Sequence, residues 1–303
     1  MIVQPPQDAL KTPKPSWLKV RFPSHSDYFS VASLIEGGGL HTICRSAKCP
    51  NISECWTRRT ATFLILGAVC TRACRFCAVD KGAPEPPDPA EPERVAEAAA
   101  ALKLAYAVVT SVTRDDLADG GAGQFIETIR ALRRRLPDVR IEVLVPDFGG
   151  RAEPLAAVLA ERPEVLNHNL ETVERLTPAI GRPRTNYRRS LEVLRRAKDA
   201  GAVTKSGLMV GLGETPDEIR QAFADLRASG CDLLTLGQYL QPTRSHAKAE
   251  RYVPPAEFEA MKAEALALGF AGVEAGPLVR SSFHAQELYA TLHHSEKETA
   301  CGT

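Results

Sequence analysis

Six of the chain's eight cysteines fall between Cys44 and Cys77, in two sets of three. Cys44, Cys49 and Cys55 lie in "CRSAKCPNISEC", and Cys70, Cys74 and Cys77 lie in "CTRACRFC". Thiolates are soft ligands that suit zinc or iron–sulfur centres. A structural zinc site usually takes four ligands in two pairs, whereas each set here offers three. A [4Fe–4S] cube needs four iron ligands, so three cysteines leave one iron open to a substrate or cofactor. That arithmetic favours a catalytic cluster over a structural one and keeps a zinc-binding interaction protein as the alternative from another class. Cys231 reads as a small core residue, and Cys301 as a free thiol in the tail.

The elements that must position these residues alternate in kind. Apolar runs at 63–67 ("FLILG"), 106–112, 140–145, 164–170, 203–211 and 232–240 predict strands. Amphipathic segments at 92–104, 123–135, 152–161, 187–200, 215–229 and 255–268 predict helices. Such alternation implies a parallel sheet with right-handed crossovers. Each strand ends in an unusual polar or Gly-rich stretch, namely "CTRACRFC", "TSVTRDD", "PDFGG", "NHNLET", "GLGET" and "QYLQPTRSH". Chemistry collected at one end of several strands is the pattern of a β/α barrel. Six units predict a partial, open (β/α)6 TIM-type barrel over residues 61–270. An N-terminal extension (1–60) and a C-terminal extension (271–303) are expected to cover its open face. The first half of "AGVEAGPLVRSSFHAQ" could add a strand.

The formal net charge of +1 over 303 residues gives no field that would point to nucleic acid or membrane. No apolar run approaches the roughly 20 residues that span a bilayer. The segment "MIVQPPQDALKTPKPSW" has no apolar signal core. A cytoplasmic location is expected, where thiols stay reduced and disulfides are disfavoured. Lys11, Lys14, Lys19 and Arg21 form a mildly basic arm, read as solvated or as touching an acidic carrier.

Cys-x3-Cys-x2-Cys after the first strand, with Phe76 before the last cysteine, resembles the signature of radical S-adenosylmethionine (SAM) enzymes. The upstream set resembles the auxiliary-cluster motif of the lipoyl synthase family, whose pattern reads much like A-x-C-P-N-x-x-E-C-W. "TRDDLADGGA", "NHNLET", "GLGE" and "LVRSSFHA" extend the likeness over roughly residues 15–290. The resemblance implies two [4Fe–4S] clusters and two SAM molecules per product. Cys70, Cys74 and Cys77 would hold the cluster whose open iron chelates SAM, and one electron would cleave the sulfonium to a 5′-deoxyadenosyl radical. Sulfur would then enter at C6 and C8 of a protein-bound octanoyl-lysine. Those carbons carry unactivated C–H bonds, beyond the reach of a side-chain base at neutral pH, so the cofactor must supply radical chemistry.

The second cluster would donate sulfur, held by Cys44, Cys49, Cys55 and a serine of the Arg280-Ser281-Ser282 element. Ser282 is the favoured ligand and Ser281 the alternative; an oxygen ligand should leave iron more readily than a thiolate. Arg280 could offset negative charge near that cluster or pair with a carboxylate. The family has Tyr where this chain has Phe283, so no role of a phenol hydroxyl transfers.

For SAM, the resemblance points to Thr110, Ser111 and Asp115 near the methionyl amino group; a solvated loop competes. Asn167, Asn169 and Glu171 could hold ribose or substrate, or cap the next helix. Gly211 and Gly213 could let backbone approach the adenosyl group, or make only a tight turn. Implied partners are octanoylated lipoyl carrier domains (2-oxoacid dehydrogenase E2 or glycine cleavage H protein), a flavodoxin- or ferredoxin-type reductant, and an iron–sulfur carrier that repairs the spent cluster. Another sulfur-inserting radical SAM enzyme, acting on biotin precursors or RNA, is the nearer alternative. The lack of a basic patch argues against RNA, and the N-terminal place of the auxiliary triplet argues against both.

Overall fold

The computed structural model describes residues 14–20 and 23–300. Lys11, Arg21 and Cys301 lie outside the described residues. The strands are β1 (His41–Thr42), β2 (Thr62–Ile65), β3 (Val69–Cys70), β4 (Asp80–Lys81), β5 (Tyr106–Ser111), β6 (Arg140–Leu144), β7 (Val165–Asn167), β8 (Thr204–Val210), β9 (Leu233–Gln238) and β10 (Gly272–Gly276). The helices are α1 (Ser26–Gly37), α2 (Ile43–Ser46), α3 (Ile52–Thr57), α4 (Glu91–Ala101), α5 (Ala122–Arg135), α6 (Ala152–Ala160), α7 (Thr185–Asp199), α8 (Pro216–Ala228), α9 (Pro255–Ala267) and α10 (Ala285–Ala300).

One sheet runs in the order β1-β2-β5-β6-β7-β8-β9-β10, with every pair parallel except β1 against β2. Both ends of that order are edges, so the barrel is open. All six expected strands form. A seventh parallel strand, β10, extends the sheet beyond β9, and β1 adds an antiparallel edge from the N-terminal segment. Glycines at 272 and 276 weaken the strand signal of β10. Its Gly272 leaves room for α10, because a Cβ there would stand 2.5 Å from Thr291 Oγ1.

Alternate residues face opposite layers, as the two-residue period of a strand requires. On β5, Ala107 and Val109 pack with the outer helices through Ala96, Phe125 and Ile129. Tyr106 and Val108 face inward, with Val165, Leu233 and α10 residues Ala285, Leu288 and Tyr289. α10 thus fills the inner face near the strand N-terminal ends. Above it lies a polar knot: Lys205 Nζ meets both Glu142 oxygens at 2.9 and 3.1 Å, and Tyr106 Oη and Asn167 Nδ2 donate to the same carboxylate at 2.9 Å each.

Local chemistry sets the helix ends. α8 opens on a capping box, with Thr215 accepting from the Glu218 N–H while the Glu218 carboxylate accepts from the Thr215 N–H; Pro216 occupies the first turn. No helix among the described residues is long and apolar enough to cross a membrane.

Candidate active site

The cysteine loop begins where β2 ends. Leu66 takes a positive φ of 68°, uncommon for a residue with a Cβ. Its N–H donates to the buried Glu91 carboxylate at 2.8 Å, which holds the turn. The loop is then tied to the C-terminal ends of other strands. Thr71 N donates to Thr113 O beyond β5 at 3.1 Å, and Arg75 N donates to Ile180 O beyond β7 at 2.8 Å. Beyond β9, Ala247 N donates to Arg75 O at 2.7 Å, and His246 Nε2 lies 3.1 Å from Cys77 O. The cysteines therefore sit over the sheet's C-terminal face, where a barrel collects its chemistry.

Cys70 Sγ accepts from the N–H groups of Arg72 (3.4 Å) and Thr113 (3.3 Å). Burial pushes the Cys77 thiol up to about 11, and Cys74, Glu171 and Cys70 push in the same direction. In the upstream triplet, burial pushes Cys55 up to about 12, reinforced by Cys44 and Cys49. Burial also raises Cys44 and Cys49. The members of each set are thus electrostatic neighbours, and loading a metal centre must displace their protons. Among the described residues no three His, Cys, Asp or Glu side chains converge on the position of one metal ion.

The donors beside the thiols fit iron–sulfur clusters. The Trp56 indole N–H meets no oxygen or nitrogen acceptor and lies against the Cys44 sulfur. The Arg182 guanidinium lies against Cys74, and its Nε has no hydrogen-bond partner. N–H groups aimed at sulfur are what thiolate-bound clusters use to settle their charge.

Next to the second triplet is a cavity of about 120 Å³ whose lining includes Arg72, Thr110, Ser111, Asp147, Asn169, Glu171 and Arg182. Ser111 Oγ is buried there without a partner. Thr110 Oγ1 donates to Leu144 O at 3.0 Å. Glu171 sits at a positive φ of 74°; burial raises its carboxyl, opposed by Arg182 and by a hydrogen bond from Asn169. Asp115 binds Arg72 at 2.7 and 2.8 Å, and Arg72 also reaches Asp147 at 2.6 Å. Burial works against the Arg72 charge, but the two aspartates outweigh it and hold the guanidinium above its ordinary range.

Four expected cofactor contacts fall elsewhere. Asn167 points into the buried knot with Glu142 and does not line the cavity. Gly211, with φ 96°, makes a tight turn in which Glu214 accepts the N–H groups of Gly211 (2.6 Å) and Leu212 (2.9 Å). A Cβ at Gly211 would stand 2.3 Å from Gln238 Nε2. Gly213, with φ 100°, gives its carbonyl to Arg175 at 2.8 Å. Asp115 lies outside the lining and acts through Arg72. Arg72, Asp147, His168 and Arg182 are not among the expected site residues; Arg72 lies inside "CTRACRFC", Asp147 inside "PDFGG" and His168 inside "NHNLET", whereas Arg182 has no such signal. A larger groove of about 380 Å³, between α6 and α7, is lined by Ala152, Leu155, Ala156, Leu159, Ala160, Arg196 and Ala200 and carries no reactive group.

The Arg280-Ser281-Ser282 element crosses the mouth of the barrel. Leu278 O accepts from Asn51 Nδ2 at 2.6 Å. Val279 O lies so near Gly237 that a Cβ there would be 2.1 Å away. Asn169 Nδ2 donates to Ser281 Oγ at 2.7 Å, and Thr62 Oγ1 donates to Ser282 Oγ at 2.8 Å. The Thr62 backbone N–H serves the Cys44 sulfur. Arg280 is half-buried beside Cys49; desolvation lowers its affinity for the proton, partly offset by that thiol. Among the described residues its guanidinium reaches no carboxylate and donates to Val279 O at 2.6 Å. The Phe283 ring stacks on His284 at 3.9 Å.

The model of the radical SAM superfamily matches residues 64–226. The chain is 56% identical over 276 residues to the lipoyl synthase of Symbiobacterium thermophilum, covering 90% of this chain and 86% of that protein. It is 54% identical over 282 residues to the lipoyl synthase of Chlorobium limicola, covering 92% and 96%. The structure of HydG, a maturase of the [FeFe]-hydrogenase, matches with a TM-score of 0.55 at 13% identity, over 81% of this chain and 62% of that one. That of methylornithine synthase (PylB) matches at 0.52 and 13%, over 82% and 74%. These two likenesses show the fold. The relatives do not favour the biotin, RNA and zinc alternatives. The chain belongs to the lipoyl synthase family of the radical SAM superfamily, enzymes that use SAM and [4Fe–4S] clusters to insert sulfur into octanoylated lipoyl carrier proteins.

Proposed function

We propose that Cys70, Cys74 and Cys77 hold the cluster that engages SAM, and that Cys44, Cys49, Cys55 and Ser282 hold the auxiliary cluster. When bound, these groups supply the electron that opens SAM and the sulfur that is inserted. The observation that carries the assignment is the strap at 278–282, which touches both sites. Ser281 binds Asn169 on the wall of the cavity, while Ser282 binds Thr62, whose N–H serves Cys44. That division supports Ser282 over Ser281 as the oxygen ligand. Arg280 supplies a half-buried positive charge beside Cys49.

Around SAM, the proposed contacts are Thr110, Ser111, Asn169 and Glu171, which line the cavity. Asp115 fixes Arg72 at its edge. The strap excludes water from the mouth, where a carbon radical must meet its sulfur before any side reaction. Residues 1–60, 61–270 and 271–303 are proposed as auxiliary-cluster extension, barrel and strap with tail. The proposed setting is the cytoplasm, with E2 or H-protein domains as carriers, a flavodoxin- or ferredoxin-type reductant, and an iron–sulfur carrier for cluster repair.

The test is anaerobic incubation with SAM, dithionite and an octanoyl-lysyl peptide, read by mass spectrometry. The wild type should add two sulfurs through a protein-bound one-sulfur intermediate. Ser282→Ala should change the Mössbauer spectrum of the auxiliary cluster and lose product, whereas Ser281→Ala should leave that spectrum intact. The same spectrum in both variants and the wild type would remove Ser282 from the ligand set.

A further inference from the structure

The loop after β7 clamps the second cysteine triplet through two backbone contacts and one side chain. Ile180 O accepts the Arg75 N–H at 2.8 Å. Gly181, at φ 79°, brings its backbone against the triplet: a Cβ there would stand 3.1 Å from Ala73 O and 3.1 Å from Arg75 N. The backbone of 180–181 therefore does the clamping, which leaves the next side chain free for another task. Arg182 places its guanidinium against Cys74 and 5.4 Å over the Phe76 ring, both within the cysteine motif. Its carboxylate partner, Glu171, is 3.7 Å away, beyond hydrogen-bond distance, and Nε has no oxygen or nitrogen partner. A largely shielded cation that is only loosely paired acts on charge changes near it, because solvent screens it only in part.

We propose that Arg182 is a positioning residue for the cluster held by Cys70, Cys74 and Cys77, aiming its charge at Cys74 so that the cluster accepts an electron more readily. Reduction adds negative charge to the cluster, and a nearby cation stabilises the reduced form; hydrogen bonds to the sulfurs act in the same sense. Glu171, 3.7 Å from the guanidinium and itself near Cys77, opposes it with a negative charge. The inference rests on the assignment of Cys70, Cys74 and Cys77 to the SAM-engaging cluster.

The test is a potentiometric titration of the intact protein, loaded to about eight irons for two cubes and followed by electron paramagnetic resonance. The signal that changes on adding SAM reports the cluster at issue, and the other signal is an internal control. Arg182→Gln should move the midpoint of the SAM-responsive cluster to more negative potential and leave the control midpoint unmoved. Arg182→Lys, which keeps the charge, should restore most of the wild-type value. An unmoved midpoint in Arg182→Gln, or an equal shift of both clusters, overturns the role. If Arg182→Gln fails to load iron, Glu171→Gln carries the test: removing the opposing charge should move the same midpoint to more positive potential, and no shift overturns the role. A wild type without a SAM-responsive signal would overturn the cluster assignment itself, and the role with it.

Discussion

Replacing Gly237 with alanine should uncouple radical formation from sulfur insertion. The added Cβ would stand 2.1 Å from Val279 O and 3.1 Å from Val279 C, both backbone atoms. Real Cβ contacts do not fall below 3.0 Å, so the oxygen must recede by about 0.9 Å or the centre of β9 must shift. β9 is buried between β8 and β10, whereas the strap is a loop, so the strap moves. Ser281 and Ser282 ride on it, two and three residues beyond Val279. A misplacement of about 1 Å can cost roughly a hundredfold in a positioned reaction, and overpacking of this kind typically costs about 1–3 kcal/mol of stability. Methionine and 5′-deoxyadenosine should still form at near the wild-type rate, because Gly237 lines neither cysteine triplet. Lipoyl product should fall by about a hundredfold. Gly37→Ala is the control: it ends α1 with open space around the new Cβ and an ordinary φ. The assay counts 5′-deoxyadenosine and lipoyl-peptide from the same anaerobic reaction. Wild-type product yield in Gly237→Ala would refute the view that the strap places the two sites relative to each other.

Lys205 and Glu142 are both fully buried, so Lys205→Met strands a carboxylate with only Tyr106 and Asn167 as donors. It should lose about 3–5 kcal/mol in anaerobic urea unfolding, and Lys205→Met with Glu142→Gln should recover most of the loss; a silent single variant would contradict the pairing. His168 is buried, with Nδ1 2.8 Å from Val145 O and Nε2 3.0 Å from Ser190 Oγ. Burial lowers its pKa to about 4, with hydrogen bonding to Val145 and the Asp147 charge opposing. The unfolded chain therefore binds a proton first as pH falls. The neutral ring's contribution is complete above about pH 6.5 and is lost progressively toward pH 4, a total of about 3 kcal/mol. His168→Gln should flatten that limb of the urea midpoint against pH; parallel curves for the two proteins would rule out His168 as its source.

The cysteines were legible because thiol clusters carry their chemistry in residue type and spacing, which no fold needs to reveal. Alternating apolar runs and amphipathic segments likewise predict the parallel sheet, since burial on both faces demands continuous apolar strands. "NHNLET" shows where such reading stops. Asn167 and Asn169 are two residues apart, yet β7 ends between them. Asn167 keeps strand geometry and turns into the buried knot, while Asn169 leaves the strand and meets Ser281. The same limit applies to "GLGE", where Glu214 folds back onto two backbone N–H groups and closes the turn.

By itself the sequence determined the two sets of three cysteines and the order of strands and helices, because these depend on residue identity and local periodicity. Only the tertiary structure decided which polar side chain serves which site. Ser281 and Ser282 are adjacent and chemically identical, and they differ only in what lies across from them: Asn169 beyond β7 for one and Thr62 on β2 for the other. Partners more than a hundred residues away are chosen by how the strap crosses the barrel mouth. That path is set by the space Gly237 leaves for Val279, a long-range steric fact with no signature in local spacing.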